Sequence, residues 1–540
     1  MIGLKAINKR LAIPVTLTAV LLLALALRLY GIRWGLPDVS HPGYSFHPDE
    51  AFHLLWARMM VAGEIIGKHF MYGGTFYYTI LNAYYFFADR LGESLDGFNH
   101  LASSILLGRY FHTAIALLTI LIVYECGRAF YGRKIGMLAA MVLAVAPGHI
   151  VCAQRMRPDE FAAFLAALII LLSWQISSSD QGKKLRYYLF AGLTLGLAIA
   201  LRFPLVTLIG APLAVHVFGG EGKNIADRLW SLWDRRVAIM FVAVIVGYAI
   251  ASPHTFIYPE WLIQGIKKQW WYQSNPFMDA VDNGPGIYQY GWTMLHEALG
   301  YPLYFLALGG VVLALVRRSQ ADIVILAAGA PYFILTTFTS WVVVRYTLPL
   351  LPLLAILAGR FVAYTMEKIP RHKTVTNVVI AVILAWTLLA DYAYLKMETE
   401  KDVRDVASEW IQRNLPLGSS ILIVTAYLED DFFNPVLPKG YGVSAFLLAK
   451  ENNSQALFRD YKFDYLILHE FTYKNMERLG PRNPHQHERV FHASLLNSRY
   501  KRIKEFKQPI EAMGIDFSSW FTSQDYAIAN PEIRIYRYQG

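Results

Sequence analysis

Along residues 1–395 the chain alternates long apolar runs with short polar stretches, and beyond that point the alternation stops. A helix needs about 20 mostly apolar residues to cross the hydrocarbon core of a bilayer, and fewer where it is packed inside protein. Eleven segments meet that pattern: 11–30, 104–124, 135–151, 160–177, 187–201, 204–219, 237–252, 301–316, 321–339, 346–364 and 375–394. The first has a basic start (Lys5, Lys9, Arg10). Its run from Leu11 to Leu27 is longer than a signal-peptide core and has no clear small-residue cleavage site, so it reads as a retained first helix.

Loop charge tests the count, because cytoplasmic loops carry an excess of Lys and Arg. With the N-terminus inside, the inner loops receive Arg128/Arg133/Lys134, Lys183/Lys184/Arg186, Lys223/Arg228/Arg235/Arg236, Arg317/Arg318 and Lys368/Arg371/Lys373. Every expected inner loop is basic. An odd number of spans puts the segment 396–540 outside.

That segment interleaves acids with bases, and strand-like runs (Ile421–Thr425, Tyr465–His469) alternate with helix-like ones. From Asp402 to Asn414 the apolar residues Val403, Val406, Trp410 and Ile411 follow helical spacing, and Pro416-Leu417-Gly418 ends the run. The reading is a small α/β extracytoplasmic domain over 396–540 on a transmembrane domain over 1–395. Two other outer segments are large. Residues 31–103 hold two amphipathic stretches, Glu50–Val61 and Thr75–Phe87, suited to lying along the interface. Residues 253–300 hold Trp270-Trp271-Tyr272 and the turn Asn283-Gly284-Pro285-Gly286, which serve either as an interfacial anchor or as cover for a substrate groove.

Composition agrees with a membrane protein. Hydrophobic residues are 55% and charged residues 17% of 540, where soluble domains average about 25% charged. Aromatic residues at 14% suit interfacial belts. The net charge of +10 lies in the short loops, which argues for membrane anchoring and against nucleic-acid binding. The two cysteines, Cys126 and Cys152, fall near opposite ends of one expected span and carry no metal-ligand spacing, so neither a disulfide scaffold nor a zinc site is expected.

Once the topology is drawn, the unusual polar residues gather on the outer side: His47-Pro48-Asp49-Glu50, Arg157-Pro158-Asp159-Glu160, Arg202 and Arg345-Tyr346. Proline followed by acids is ordinary chemistry for a helix start, since acids complement the positive end of the helix dipole. It explains one copy better than two meeting at one membrane face, where acids near hydrocarbon are costly. A carboxylate at an apolar boundary suits a general base, because partial desolvation raises its affinity for the acceptor's proton. Arginines complement it: guanidinium binds phosphate oxygens bidentately and stays charged near lipid, although snorkelling anchors use the same residue. A base beside a phosphate clamp implies transfer from a phosphate-bearing lipid. His47, Asp49 and His53 also make up a metal set, with Asp49 and His53 four residues apart, but without a diagnostic motif. No cofactor is required, although a divalent metal is compatible with the set.

The ordered succession of these residues resembles the GT-C membrane glycosyltransferases. It is similar above all to the polyprenyl-phosphate-sugar-dependent group of protein O-mannosyltransferases and lipid A aminoarabinose transferase. Besides Asp49-Glu50, the resemblance rests on Gly73-Gly74-Thr75-Phe76-Tyr77-Tyr78, Arg109, the run Tyr124–Gly132 and Ala146-Pro147-Gly148-His149. It continues through Arg157–Glu160, Gly196-Leu197-Ala198 to Arg202, and Arg345-Tyr346 with Leu348-Pro349 and Pro352, covering about 1–365. It implies catalytic acids Asp49 (general base), Glu50 and Asp159. It also implies basic residues Arg202 and Arg345 at the donor phosphate, and inversion at the anomeric carbon without a covalent intermediate. Arg157 joins them on charge and position, and His47, His53, Glu160 and Tyr346 are candidate substrate contacts. The oligosaccharyltransferase signature Trp-Trp-Asp-Tyr-Gly is absent, which disfavours en bloc transfer to asparagine.

The expectation is therefore a multi-pass plasma-membrane enzyme with a cytoplasmic N-terminus. It would move one sugar from a polyprenyl-phosphate donor to a protein, lipid or glycan acceptor at the outer face. The rival is a transporter or flippase, which calls for ionisable groups near the midplane, interrupted helices and repeat symmetry.

Overall fold

The computed structural model describes residues 15–39, 41, 43–61, 80, 98–219, 225–274, 284–339, 342–369, 373–425, 432–437, 439–448, 458, 461–482 and 486–540. The start of the first span at 11–14, most of the Thr75–Phe87 stretch with the Gly73–Tyr78 motif, and Asn283 lie outside the described residues.

Each expected span coincides with helix. In chain order these are α1 (Val15–Leu29), then α2 (Pro48–Val61) in the outer segment, α3 (Phe98–Tyr131), α4 (Arg133–Ala144), α5 (Pro147–Ala153), α6 (Asp159–Ser178) and α7 (Gln181–Leu201). There follow α8 (Gly210–Gly219), preceded by a 3-10 turn over Phe203–Ile209, then α9 (Arg235–Ala251), α10 (Pro259–Ser274), α11 (Leu295–Leu299), α12 (Tyr301–Arg317) and α13 (Gln320–Thr336). A second 3-10 stretch, Val344–Leu350, leads into α14 (Leu351–Lys368), and α15 (Lys373–Thr399) completes the bundle. Among the described residues, five helices are long and apolar enough to cross a membrane alone, or six if the bent pair α4–α5 is one span. That pair bends by 62°, because Pro147 opens α5 and restricts the residue before it to extended backbone.

Small residues let the bundle close. On α7, Gly192 and Gly196 lie one turn apart against Met240, Ala243 and Val244 of α9, while Gly247 of α9 meets the backbone of Leu193. A Cβ on Gly196 would overlap the Val244 carbonyl and come within 2.6 Å of the Tyr248 nitrogen. In a bilayer, where lipid is as apolar as the helices, this close backbone approach is what dispersion attraction needs.

The C-terminal part begins with α16 (Val403–Asn414), capped by Asp402, whose carboxylate accepts from the Arg404 amide at 2.9 Å. Its five-stranded sheet runs in the order β2-β1-β3-β5-β4, with β1 (Ser420–Thr425), β2 (Gly442–Leu447), β3 (Tyr465–His469), β4 (Tyr500–Phe506) and β5 (Ile533–Tyr538). Strands β2, β1 and β3 are parallel, and β5 is antiparallel to both β3 and β4. Alternate residues serve opposite faces. Ile421, Ile467, Ile533 and Ile535 pack on Val403, Ala407 and Ile411 of α16. Leu422, Val424, Leu466 and Leu468 pack on Tyr473 of α17 (Glu470–Leu479) and on Phe491 and Leu495 of α18 (Gln486–Leu496). Both expected strands and the expected helix are present.

The helix cap also ties the two parts together. Asp402 accepts from the Trp34 indole at 3.0 Å, and the Arg404 guanidinium lies 3.9 Å from the Phe46 ring.

Gly196→Ala is expected to cost about 1–3 kcal/mol through overpacking, seen as a lower melting temperature in detergent. Gly182→Ala, on the same helix with open space around it, should leave melting unchanged or raise it. Equal melting of the two variants would contradict the close α7–α9 contact.

Candidate active site

Pro48 opens α2 with Asp49 and Glu50 in its first turn, and Pro158 precedes α6 with Asp159 and Glu160 in the same positions. Adjacent helix residues point about 100° apart, so each motif sends its two acids in different directions.

Glu50 turns into the scaffold. Its carboxylate receives Arg109 Nε at 2.8 Å and Nη2 at 2.6 Å, Ser45 Oγ at 2.7 Å and the Met156 amide at 3.0 Å. Arg109 spends its remaining Nη1 on the Ile32 and Trp34 carbonyls, both at 2.7 Å. Burial pushes the Glu50 carboxyl up, but the Arg109 charge and hydrogen bonds outweigh it and hold the group at about 2. Glu50 is thus ionised, sealed and engaged by four donors. Its expected place beside Asp49 as a catalytic acid does not match this geometry, which makes it an anchor between the outer loop, α2, α3 and the turn before α6. Glu160 is likewise withdrawn: His149 Nε2 lies 3.0 Å from it, and His149 Nδ1 lies 2.7 Å from Arg28 of α1.

Asp49 and Asp159 face a cluster of guanidiniums. Arg157, in the turn before α6, has Nη1 at 3.8 Å from Asp49 and Nε at 3.5 Å from Asp159. Arg202, which ends α7, reaches Asp159 at 2.6 Å and lies 5.0 Å from the Tyr346 ring. Arg345, at the start of the 3-10 stretch, lies 5.8 Å from the same ring. His47 accepts from Arg157 Nη1 at 3.3 Å. Burial, then the charges of Arg157, Arg155, Arg345 and Arg109, keep its imidazole well below the ordinary value and therefore neutral. His53, a turn beyond Asp49 on α2, is buried edge-on to Trp56. The structure thus brings Asp49, Asp159, Arg157, Arg202, Arg345, Tyr346 and His47 to one place. Within it Asp49 is the open acid, its side chain 22% exposed against 2% for Asp159.

Sequence reasoning missed two acids here. Asp525, on the four-residue helix α19 (Gln524–Ala527) of the C-terminal part, reaches into the cluster: its Oδ1 accepts from Arg345 Nη1 at 2.6 Å and Arg157 Nη1 at 3.1 Å. Glu297 of α11 seats that segment, accepting from Thr522 Oγ1 at 2.5 Å and the Ser523 amide at 2.9 Å, while Tyr526 donates to its carbonyl at 2.9 Å. Neither acid has a neighbouring motif in the sequence, and no local signal marks them.

For metal binding, the guanidinium of Arg157 already stands between Asp49 and Asp159, and His47 faces that guanidinium. These residues do not present the open ligand set a divalent cation needs. Among the described residues, the group that brings ligand atoms together, within 4.8 Å of one another, is Asp38, His41 and Asp405 in the outer loop and α16.

Residues 95–257, which contain Arg157, Asp159 and Arg202, match the family model of dolichyl-phosphate-mannose-protein mannosyltransferases. No curated protein is similar enough to match. The fold is shared with ArnT from Cupriavidus metallidurans bound to undecaprenyl phosphate, with a TM-score of 0.51 at 12% identity over 96% of this chain and 97% of that one. It is also shared with the oligosaccharyltransferase of Archaeoglobus fulgidus in complex with Zn and sulfate (TM-score 0.52, 11% identity, 95% of this chain and 76% of that one). A third such structure is the archaeal oligosaccharyltransferase AglB from the same organism with an inhibitory peptide and a dolichol-phosphate (0.51, 12%, 95% and 77%). The chain therefore has the fold of these membrane glycosyltransferases, the GT-C fold. The mannosyltransferase family match lies within it, over residues 95–257.

The seat of Asp525 is pH-dependent. Burial pushes the Glu297 carboxyl up to about 7 from 4.5, against the opposing hydrogen bonds from Thr522 and Ser523. The folded state therefore holds the proton more tightly than the unfolded one, and the stabilisation is full below about 4.5 and lost as pH rises through 7. Wild-type protein should lose more melting temperature between pH 5 and pH 8 than Glu297→Gln does; a smaller loss would contradict the assignment.

Proposed function

We propose that this enzyme transfers a single sugar, hexose or pentose, from a polyprenyl-phosphate donor to a hydroxyl-bearing protein, lipid or glycan acceptor, with inversion. Asp49 is the general base. One observation carries the reading: the partly open carboxylate of the cluster lies 3.8 Å from a buried guanidinium that belongs to a group of three. The lipid phosphates bound by the two similar enzymes, undecaprenyl phosphate and dolichol-phosphate, support the donor class.

In the proposed step the acceptor oxygen attacks the anomeric carbon from the face opposite the phosphate. Its proton passes to an Asp49 oxygen as the new C–O bond forms. The anomeric C–O bond breaks, and its electron pair goes to the phosphate oxygen, where Arg157, Arg202 and Arg345 stabilise the added charge. Asp159 holds Arg202 in place, and Tyr346 offers its face to the arginines. Since Arg157 occupies the space between the two acids, the guanidinium supplies the positive charge and no step is routed through a metal.

We also propose that the eleven apolar segments of the sequence are eleven crossings of the plasma membrane, with the N-terminus inside, residues 1–395 as the membrane domain and 396–540 as an outer domain. Basic inner loops support this orientation. A transporter is not favoured: its ionisable groups would sit near the midplane, whereas here they sit at helix ends, where α2 and α6 begin and α7 stops.

Asp49→Asn should lower transfer of label from a polyprenyl-phosphate sugar by about 10²–10⁴-fold, the usual cost of losing a general base. Expression and binding of undecaprenyl phosphate should be retained. Near-normal transfer by this variant would sink the mechanism.

A further inference from the structure

The arginines that the proposed function assigns to the donor phosphate are not held by the membrane helices alone. Arg157 and Arg345 carry like charges, and both side chains are almost fully buried, at 3% and 5% exposure. Two guanidiniums in that setting repel one another unless an anion lies between them. The anion is Asp525. One oxygen is shared by Nη1 of Arg345 (2.6 Å) and Nη1 of Arg157 (3.1 Å), and the other accepts from the Arg345 backbone amide at 3.0 Å. The carboxylate therefore fixes both the main chain and the side-chain tip of Arg345, and pins Arg157 beside it.

Asp525 is itself held rigidly. Glu297 clamps Thr522 and Ser523 before it, the Tyr526 hydroxyl donates to the Glu297 carbonyl, and the Tyr526 ring packs against Tyr394 and Phe521 at 5.2 and 5.0 Å. Just beyond, Arg404 of α16 donates to the Ile528 carbonyl at 3.2 Å. These contacts seat the segment that carries the Asp525 carboxylate to the arginines.

We propose that Asp525 is a positioning residue for the transfer reaction, which sets Arg157 and Arg345 to bind the donor phosphate, so that the C-terminal part of the chain completes the site. This rests on the phosphate role given to those arginines under the proposed function. Asp525 acts through them and touches no reacting atom. It stays charged across the physiological range: burial raises its carboxyl, but the charges of Arg345 and Arg157 outweigh this and hold it well below the usual carboxylate range.

The test measures binding of undecaprenyl phosphate, and of undecaprenol as the tail without the headgroup, to the full-length purified protein. Asp525→Asn keeps the shape and removes the charge. It should raise the dissociation constant for undecaprenyl phosphate at least about tenfold, the size of one charge-assisted hydrogen bond, and leave undecaprenol binding unchanged. Asp525→Glu should recover most of the loss. Tyr526→Phe, which loosens the segment without touching an arginine, should raise the constant about threefold and decides the matter should Asp525→Asn fail to fold. A purely structural role would weaken both lipids alike and overturns the proposal. So does a variant that binds the phosphate as tightly as wild type, or tighter, the latter marking Asp525 as a competitor for the phosphate's place. Wild-type protein that shows no preference for undecaprenyl phosphate over undecaprenol overturns the phosphate reading itself, and this inference with it.

Discussion

Three guanidiniums buried at one end of a helix bundle must each find an anion, and much of the architecture around them serves that need. Arg157 stands at the centre, bordered by Asp49, Asp159 and Asp525, while Arg202 is matched to Asp159 and Arg345 to Asp525. Removing one partner of such a buried pair is far more damaging than never having had it, because the remaining charge is left unsolvated. The three carboxylates come from three separate parts of the chain: the outer loop through α2, the start of α6, and the C-terminal segment. Charge matching therefore binds these parts into one unit and leaves the cluster close to neutral before any ligand arrives.

The two Pro-Asp-Glu motifs show how a single local pattern sends one acid to the guanidinium cluster and the other into the scaffold. In each, the aspartate faces the guanidinium cluster and the glutamate faces away, Glu50 to Arg109 and Glu160 to His149. The helix turn between adjacent residues enforces the division. The Glu50–Arg109 node fixes the entry of α2, and so the direction in which Asp49 points. A base placed on a helix anchored one residue later keeps its geometry better than one carried by a loop.

Much of this was legible in the sequence because it is local. Apolar runs located the helices of the eleven expected spans, though not α10 or α11; strand-like runs located β1 and β3, and periodic Val403, Val406, Trp410 and Ile411 located α16. Asp49, Asp159, Arg157, Arg202 and Arg345 were found because acids and arginines near hydrocarbon are costly and therefore conspicuous. The different fates of Asp49 and Glu50 were not legible: both are acids in a first turn, and only Arg109, 59 residues away, separates them. Asp525 was least legible of all. It lies 368 residues from Arg157 and 180 from Arg345, in a polar segment where an aspartate costs nothing and so draws no notice.

The neutrality of the resting cluster bears on how the proposed transfer proceeds. A polyprenyl-phosphate sugar is a phosphodiester with one negative charge, and its lipid phosphate product carries up to two. Loss of the sugar would therefore add negative charge at the arginines in the step that needs them most. In the proposed step, the proton that Asp49 would take from the acceptor removes one negative charge from the same cluster at the same moment. Asp49 is also the carboxylate most loosely held there, at 3.8 Å from Arg157, against 2.6 Å for the Asp159–Arg202 and Asp525–Arg345 pairs. Once protonated it releases its share of Arg157 to the departing phosphate. The proposed base and phosphate clamp would thus be coupled through one guanidinium, with total charge in the buried site constant through the reaction, which keeps the low-dielectric surroundings from opposing it.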